Sequence, residues 1–175
     1  MSAIVIDTNV LLVASGLAKQ MSAACKAACA NRLERVKAVE QVVLDDQRMM
    51  LIEYGNKLDP SKQPPSPGGA FLKWLLVNQG NTRHASAVTL TPLNRERTRF
   101  AEFPPDAALE AAVDPSDRKF IAAAYAHPEK PPIVESADSK WLGWEAALAA
   151  HGLQLEVLCR CELEEIHRRK AAAPA

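Results

Sequence analysis

The feature that most limits what this chain can fold into is its opening, MSAIVIDTNV, in which an apolar run over residues 3–6 stops abruptly at Asp7, Thr8 and Asn9. A run this short, with no polar residue interrupting it, has the pattern of a strand buried on both faces, as in a parallel sheet. It delivers polar side chains at its carboxyl end. Residues 42–44 repeat the device and end in Asp45 and Asp46; residues 132–136 do so again with Glu135 and Asp138, and residues 153–158 form a last apolar run.

Helical stretches separate these runs. Residues 17–39 are rich in Ala, Lys and Arg and contain no Pro, which predicts a long helix. Residues 47–58 carry a helical pattern with Met49 and Ile52 inward and Glu53 and Tyr54 near the middle. Further helices are expected over 71–78, 106–112, from Asp114-Pro-Ser-Asp117 to 126, and over 141–151. Residues 87–93 and 97–103 alternate enough for a strand or short hairpin. Strands alternating with helices predict an α/β fold, a mostly parallel central sheet of four to five strands with helices on both faces in a Rossmann-like three-layer arrangement.

At 175 residues and 48% hydrophobic content, the chain has the size of one domain, placed here at residues 1–160. Residues 59–69 hold four prolines and two glycines and are expected as a surface loop within it; residues 161–175 read as a charged C-terminal helix and tail. The opening fits no secretory signal, and no apolar run approaches the ~18 residues of a membrane span. A soluble, cytoplasmic protein with no membrane partner is therefore expected. The cysteines, Cys25, Cys29, Cys159 and Cys161, lie in no secretory context that would imply disulfides and are expected as reduced thiols, and neither pair has the usual zinc-knuckle spacing.

The 21 basic and 21 acidic residues cancel, so the total charge says nothing about a nucleic-acid partner. Their distribution says more. Residues 48–100 carry eight Lys/Arg and three acids, whereas residues 101–165 carry five Lys/Arg and thirteen acids. A basic middle beside an acidic later half suits a protein that grips phosphates and holds divalent cations, and it also suits ordinary solvated helix faces.

In an open parallel sheet, ligands bind beyond the carboxyl ends of the strands, where Asp7, Asp45, Asp46, Glu135 and Asp138 fall. Most of these acids have a structural reading as well. Asp114 before Pro115 is a natural helix N-cap, with Asp117 in the first turn; Asp45 or Asp46 suits the helix from 47, and Asp138 the helix from 139. Asp7 has no helix start close enough for capping to explain it.

The opening IVIDTNVLL resembles the N-terminal signature of PIN domains, in which a hydrophobic strand ends in Asp-Thr-Asn. LDDQRMMLIEY is similar to the family segment whose helix carries an acid, here Glu53. DPSDRKFIAAA looks like the third acidic element, with Asp117 preferred and Asp114 competing, and SADSKWL resembles the fourth, with Asp138 preferred and Glu135 competing. The resemblance spans residues 3–158. The segment 59–103 is longer than the compact toxin-type members need.

The resemblance implies a metal-dependent endonuclease, with Mg²⁺ or Mn²⁺ held by Asp7, Glu53, Asp117 and Asp138 and with Thr8 and Asn9 orienting a ligand from behind. It implies single-stranded RNA as the favoured substrate and allows a protein partner such as an antitoxin, or a homodimer. Candidate phosphate contacts are Lys57, Lys73, Arg83 and Arg95, with Lys62, Arg97 and Arg99 beside them. Haloacid-dehalogenase phosphatases also begin on an Asp-ended strand, but they need a second Asp where this chain has Asn9. The other reading is an inactive PIN-like module that binds RNA or a protein, which predicts that the acids fail to converge or that basic side chains occupy the centre of the cluster.

Overall fold

The computed structural model describes residues 1–59, 61 and 64–173. Strand β1 (Ser2–Ile6) is followed by helices α1 (Thr8–Ala14) and α2 (Ala23–Val39), then β2 (Glu40–Asp45), α3 (Met49–Leu58), α4 (Pro67–Asn78) and β3 (Ala85–Val88). The second half runs α5 (Ala107–Ala112), α6 (Arg118–Ala126), β4 (Ile133–Glu135), α7 (Lys140–Ala150), β5 (Leu155–Val157) and α8 (Arg160–Ala172). The strands form one sheet of order β3-β2-β1-β4-β5 in which every pairing is parallel. Helices flank this sheet, giving the expected three-layer arrangement.

The apolar runs become the buried centre of the sheet, with Ile4, Val5, Ile6, Val42, Val43, Ile133 and Val134 all at most 1% exposed. Phe71, Trp141 and Trp144 are core, and Trp74 is half-buried against it. No helix among the described residues is long and apolar enough to cross a membrane.

Several elements differ from the sequence reading, each for a local reason. Asp7 does cap a helix: α1 starts at Thr8, and the Asp7 side chain accepts from the Asn9 amide at 2.8 Å. Only residues 23–39 of the long stretch form α2, because Ser22 caps it through the Cys25 amide. Helix α4 begins early, with Ser66 as cap and Pro67 in its first turn, so the surface connection ends at Ser66; Pro60, Lys62 and Gln63 lie outside the described residues. Residues 97–103 form no strand, and a single antiparallel bridge, Pro92 to Phe100, closes that segment. Ile52, expected inward, is 57% exposed, while Met50, Leu51 and Tyr54 fill the buried face of α3.

The cysteine expectation is overturned at one pair. Cys25 and Cys159, 134 residues apart, form a disulfide that ties α2 to the start of α8, with Cα atoms 5.6 Å apart. Cys29 is a buried thiol beside them and Cys161 is exposed. The spacings within each cysteine pair carry no information about this contact, which only the sheet order creates.

Candidate metal centre

The strand order reverses between β1 and β4, the place where open α/β sheets form their ligand crevice. Asp7 directly follows β1 and Glu135 ends β4, and the register Ile6 to Val134 sets these two acids side by side. Both are buried, at 1% and 0% exposure. Glu135 Oε1 accepts the Ala137 and Asp138 amides at 2.6 and 2.5 Å, which shapes the turn after β4. Glu135 Oε2 is buried with no donor from the protein, and it belongs to the carboxyl group that faces Asp7. Two ionised carboxylates are both acceptors; a hydrogen bond between them requires that one carry a proton, and ionising both calls for a donor or a cation between them.

The titration of the group follows from this packing. Asp7 is pushed well above the usual carboxylate range, first by burial and then by the charge of Glu135. Glu135 is also raised, by burial, with its hydrogen bonds opposing. Asp117, directly before α6, is raised to about 7 by burial and by the charges of Asp7 and Asp138. It stands at the N-cap position of α6 but makes no capping bond, so capping does not account for it.

Asp114, Asp117 and Asp138 offer oxygens that all lie within 4.8 Å of one another. The helix expected from Asp114 starts only at Arg118, and residues 114–117 form a turn that brings Asp114 toward Asp138. Asp114 pairs there with Lys140, and Asp138 accepts the Lys140 amide at 3.0 Å. Thus Asp7 and Glu135 lie deep, and Asp114, Asp117 and Asp138 are each partly exposed. Asp114 and Asp117 meet Asp138 in one group, whereas Glu135 stands with Asp7 outside it, linked to Asp138 through the backbone amide and, through Asp7, to Asp117 by charge.

Glu53 reaches the centre from α3 and acts electrostatically on Asp7, but both of its oxygens are engaged. Oε1 accepts the Thr8 hydroxyl at 2.6 Å, and Oε2 pairs with Lys119 Nζ at 2.5 Å. Lys119 is 8% exposed and also donates to the Ser116 carbonyl. Sequence reasoning missed it, because a lysine beside Phe120 and Ile121 on a helix reads as one more surface charge. Thr8 lies behind Glu53 as an orienting hydroxyl, whereas Asn9 meets Asp7 through its backbone amide. Asp45 is engaged elsewhere: its two oxygens accept the Met49 and Met50 amides at 2.7 and 2.9 Å, capping the first turn of α3 from three residues before its N-cap, Arg48.

The basic candidates scatter. Lys57 is exposed on α3, one turn from Glu53, and Arg95 is exposed in a turn. Arg83 precedes β3 and so lies at the amino edge of the sheet, opposite the acids. Lys73 lines a separate cavity with Leu58, Pro64 and Leu76. Arg99 is paired with Glu110, and Lys62 lies outside the described residues.

No protein-family model, curated protein or solved structure matches this chain.

Proposed function

We propose that this chain is a metal-dependent nuclease of the PIN-domain kind, hydrolysing phosphodiester bonds in single-stranded nucleic acid, with RNA favoured. The observation that carries the reading is the Asp7–Glu135 pair at the topological switch point, two buried carboxyl groups set against each other that cannot both ionise there without a counter-charge. A cation resolves that arrangement, and an all-oxygen donor set suits a hard one such as Mg²⁺ or Mn²⁺. Asp7, Asp117, Glu135 and Asp138 would hold it, with Asp114 beside them. When bound, such an ion supplies activation of a water for in-line attack and neutralises charge on the leaving oxygen. Thr8 and Lys119 fix the two oxygens of Glu53, which makes Glu53 a positioning group unless Lys119 swings away. Cytoplasmic residence, a partner of the antitoxin kind and a homodimer belong to the same reading.

One observation favours the second reading, an inactive module that binds RNA or a protein. Lys119 pairs with Glu53 and Lys140 with Asp114, so cations border the cluster. Incubation of the protein with labelled RNA, single-stranded DNA and duplex, in Mg²⁺ or Mn²⁺ and in EDTA, separates the two. Cleavage confined to the metal-containing reactions is expected. Binding without cleavage in any of them would favour the inactive module.

A further inference from the structure

Beside the acidic centre lies a groove of about 410 Å³ with two unlike walls. One wall is the outer face of α3, carrying Met49, Ile52, Asn56 and Lys57; the other is the turn at Arg97 and Thr98. Pro115 and Ser116, which lie between Asp114 and Asp117 in the chain, close one end, and Glu53 and Lys119 line the groove too, so it borders the acidic centre through Glu53 and the turn that carries Asp117. This second wall comes from the segment that makes the chain longer than compact toxin-type members. It is well braced: the Asn94 side chain accepts the Thr98 and Arg99 amides at 3.0 Å each and donates to Thr98 Oγ1 at 2.8 Å. Arg118 at the start of α6 donates to the Thr98 carbonyl at 3.4 Å and to the Val113 carbonyl at 3.2 Å, fixing the turn against the elements that carry Asp117.

The chemistry of the lining is divided. Met49, Ile52 and Pro115 supply apolar surface, and Ile52 is 57% exposed there although helical spacing would have allowed a polar residue. Lys57 and Arg97 supply exposed cations, neither of which has an ion pair or side-chain hydrogen bond among the described residues. Arg97 is held at φ 54°, a left-handed conformation that costs a non-glycine residue energy. An occupant must therefore present a flat apolar face and an anion a short distance apart. Among the strands a nuclease meets, an unpaired base next to a phosphate has that form. A base inside a duplex hides its faces in the stack, and side chains cannot lie against them.

We infer that this groove seats the unpaired nucleotide flanking the scissile phosphate, its base on Ile52, Met49 and Pro115 and its phosphate on Lys57 and Arg97. The volume lies at the lower end of small-molecule sites, ~300–1,000 Å³, and accommodates about one nucleotide. Glu53 and Glu96 border the groove and repel phosphate, so the backbone is steered onto the two free cations. The inference rests on the nuclease reading for the words scissile phosphate, and its binding component stands without it.

The test is fluorescence-anisotropy binding of labelled single-stranded RNA, single-stranded DNA and duplex in EDTA, followed by cleavage of the same strands in Mn²⁺. The variants are Lys57→Gln combined with Arg97→Asn, which removes both charges and keeps a residue tolerant of left-handed φ, and Ile52→Ser. All three positions are exposed, and circular dichroism with thermal melting checks the fold. The expected result is preference for single strands, about ten-fold weaker binding in the double variant, and weaker binding in Ile52→Ser. Each neutralised phosphate contributes about 0.7 to the slope of log K against log salt for single strands, so losing the one held by Lys57 and Arg97 flattens it by about 0.7. Folded variants that bind like the wild type would overturn the groove assignment, and the nuclease reading would stand if the wild type cleaves. Weakened variants in a protein that cleaves nothing would leave the groove and remove the nuclease. Equal binding of duplex and single strands would also overturn it, and the RNA and DNA arms decide which sugar the groove accepts.

Discussion

Replacing Asp117 with Asn is expected to stabilise the metal-free protein, and more so as pH rises. The Asp117 carboxyl has a value of about 7 in the fold against 3.8 ordinarily, so the folded state holds a proton there that the unfolded chain has released. Stability from this group is fully present below about pH 4 and is lost as pH rises to about 7, because ionising Asp117 near Asp7 and Asp138 opposes folding. A difference of about three pH units at ~1.36 kcal/mol each amounts to roughly 4 kcal/mol. Asp117 is partly solvent-exposed, and screening reduces this to about 2 kcal/mol at pH 8. Urea denaturation in EDTA between pH 5 and pH 8 reads the effect directly. The Asp117→Asn protein should be about 2 kcal/mol more stable at pH 8, under about 1 kcal/mol more stable at pH 5, and shallower in its pH dependence. In a domain of this size that shifts the melting midpoint by about 4–8 °C. A variant less stable than wild type at pH 8, or one with the same pH slope, would refute the electrostatic reasoning.

Other parts of the fold make separate predictions. Arg32 on α2 bridges Glu40, which is 6% exposed, and Glu156 on β5; Arg32→Ala leaves a buried carboxylate alone and should cost about 3 kcal/mol in urea denaturation. Reducing the Cys25–Cys159 disulfide, or replacing Cys25 with Ser, should lower stability by about 2–4 kcal/mol, since the bond closes a long loop; identical melting with and without reductant would contradict that bond. At Gly68 an added methyl group would sit 2.3 Å from the Leu11 carbonyl oxygen, so Gly68→Ala should destabilise by about 1–3 kcal/mol, measured against Gly80→Ala, where nothing lies within 4 Å.

What the sequence made legible was periodicity. Short apolar runs ending in acids identify parallel strands and the edge where those acids collect, because alternation and burial are written into consecutive residues. Long-range partners are not written there. That Glu135 meets Asp7 depends on β4 pairing with β1, and that Cys25 meets Cys159 depends on β5 lying beyond β4. Capping was legible in kind but not in place. Asp45 caps α3 as its residue type allows, whereas the cap role expected of Asp114 fails because Pro115 and Ser116 stay in a turn. The start of α1 at Thr8 was hidden by a short apolar stretch that reads equally well as a continuing loop. Lys119 was hidden by its chemistry, since burying a lysine depends on Glu53 being opposite, a contact 66 residues away in the chain.

The measurement that bears most directly on the centre is cleavage of labelled single-stranded RNA and DNA in Mn²⁺ by the wild type and by Asp7→Asn. The substitution keeps the size of the side chain and an oxygen that can still accept the Asn9 amide, so α1 retains its cap, while the charge needed to hold a divalent cation beside Glu135 is gone. Cleavage by the wild type and its loss in Asp7→Asn, with both proteins folded and both dependent on added metal for any residual activity, is the expected result. Equal cleavage by the two proteins would contradict the assignment of Asp7 to the metal centre.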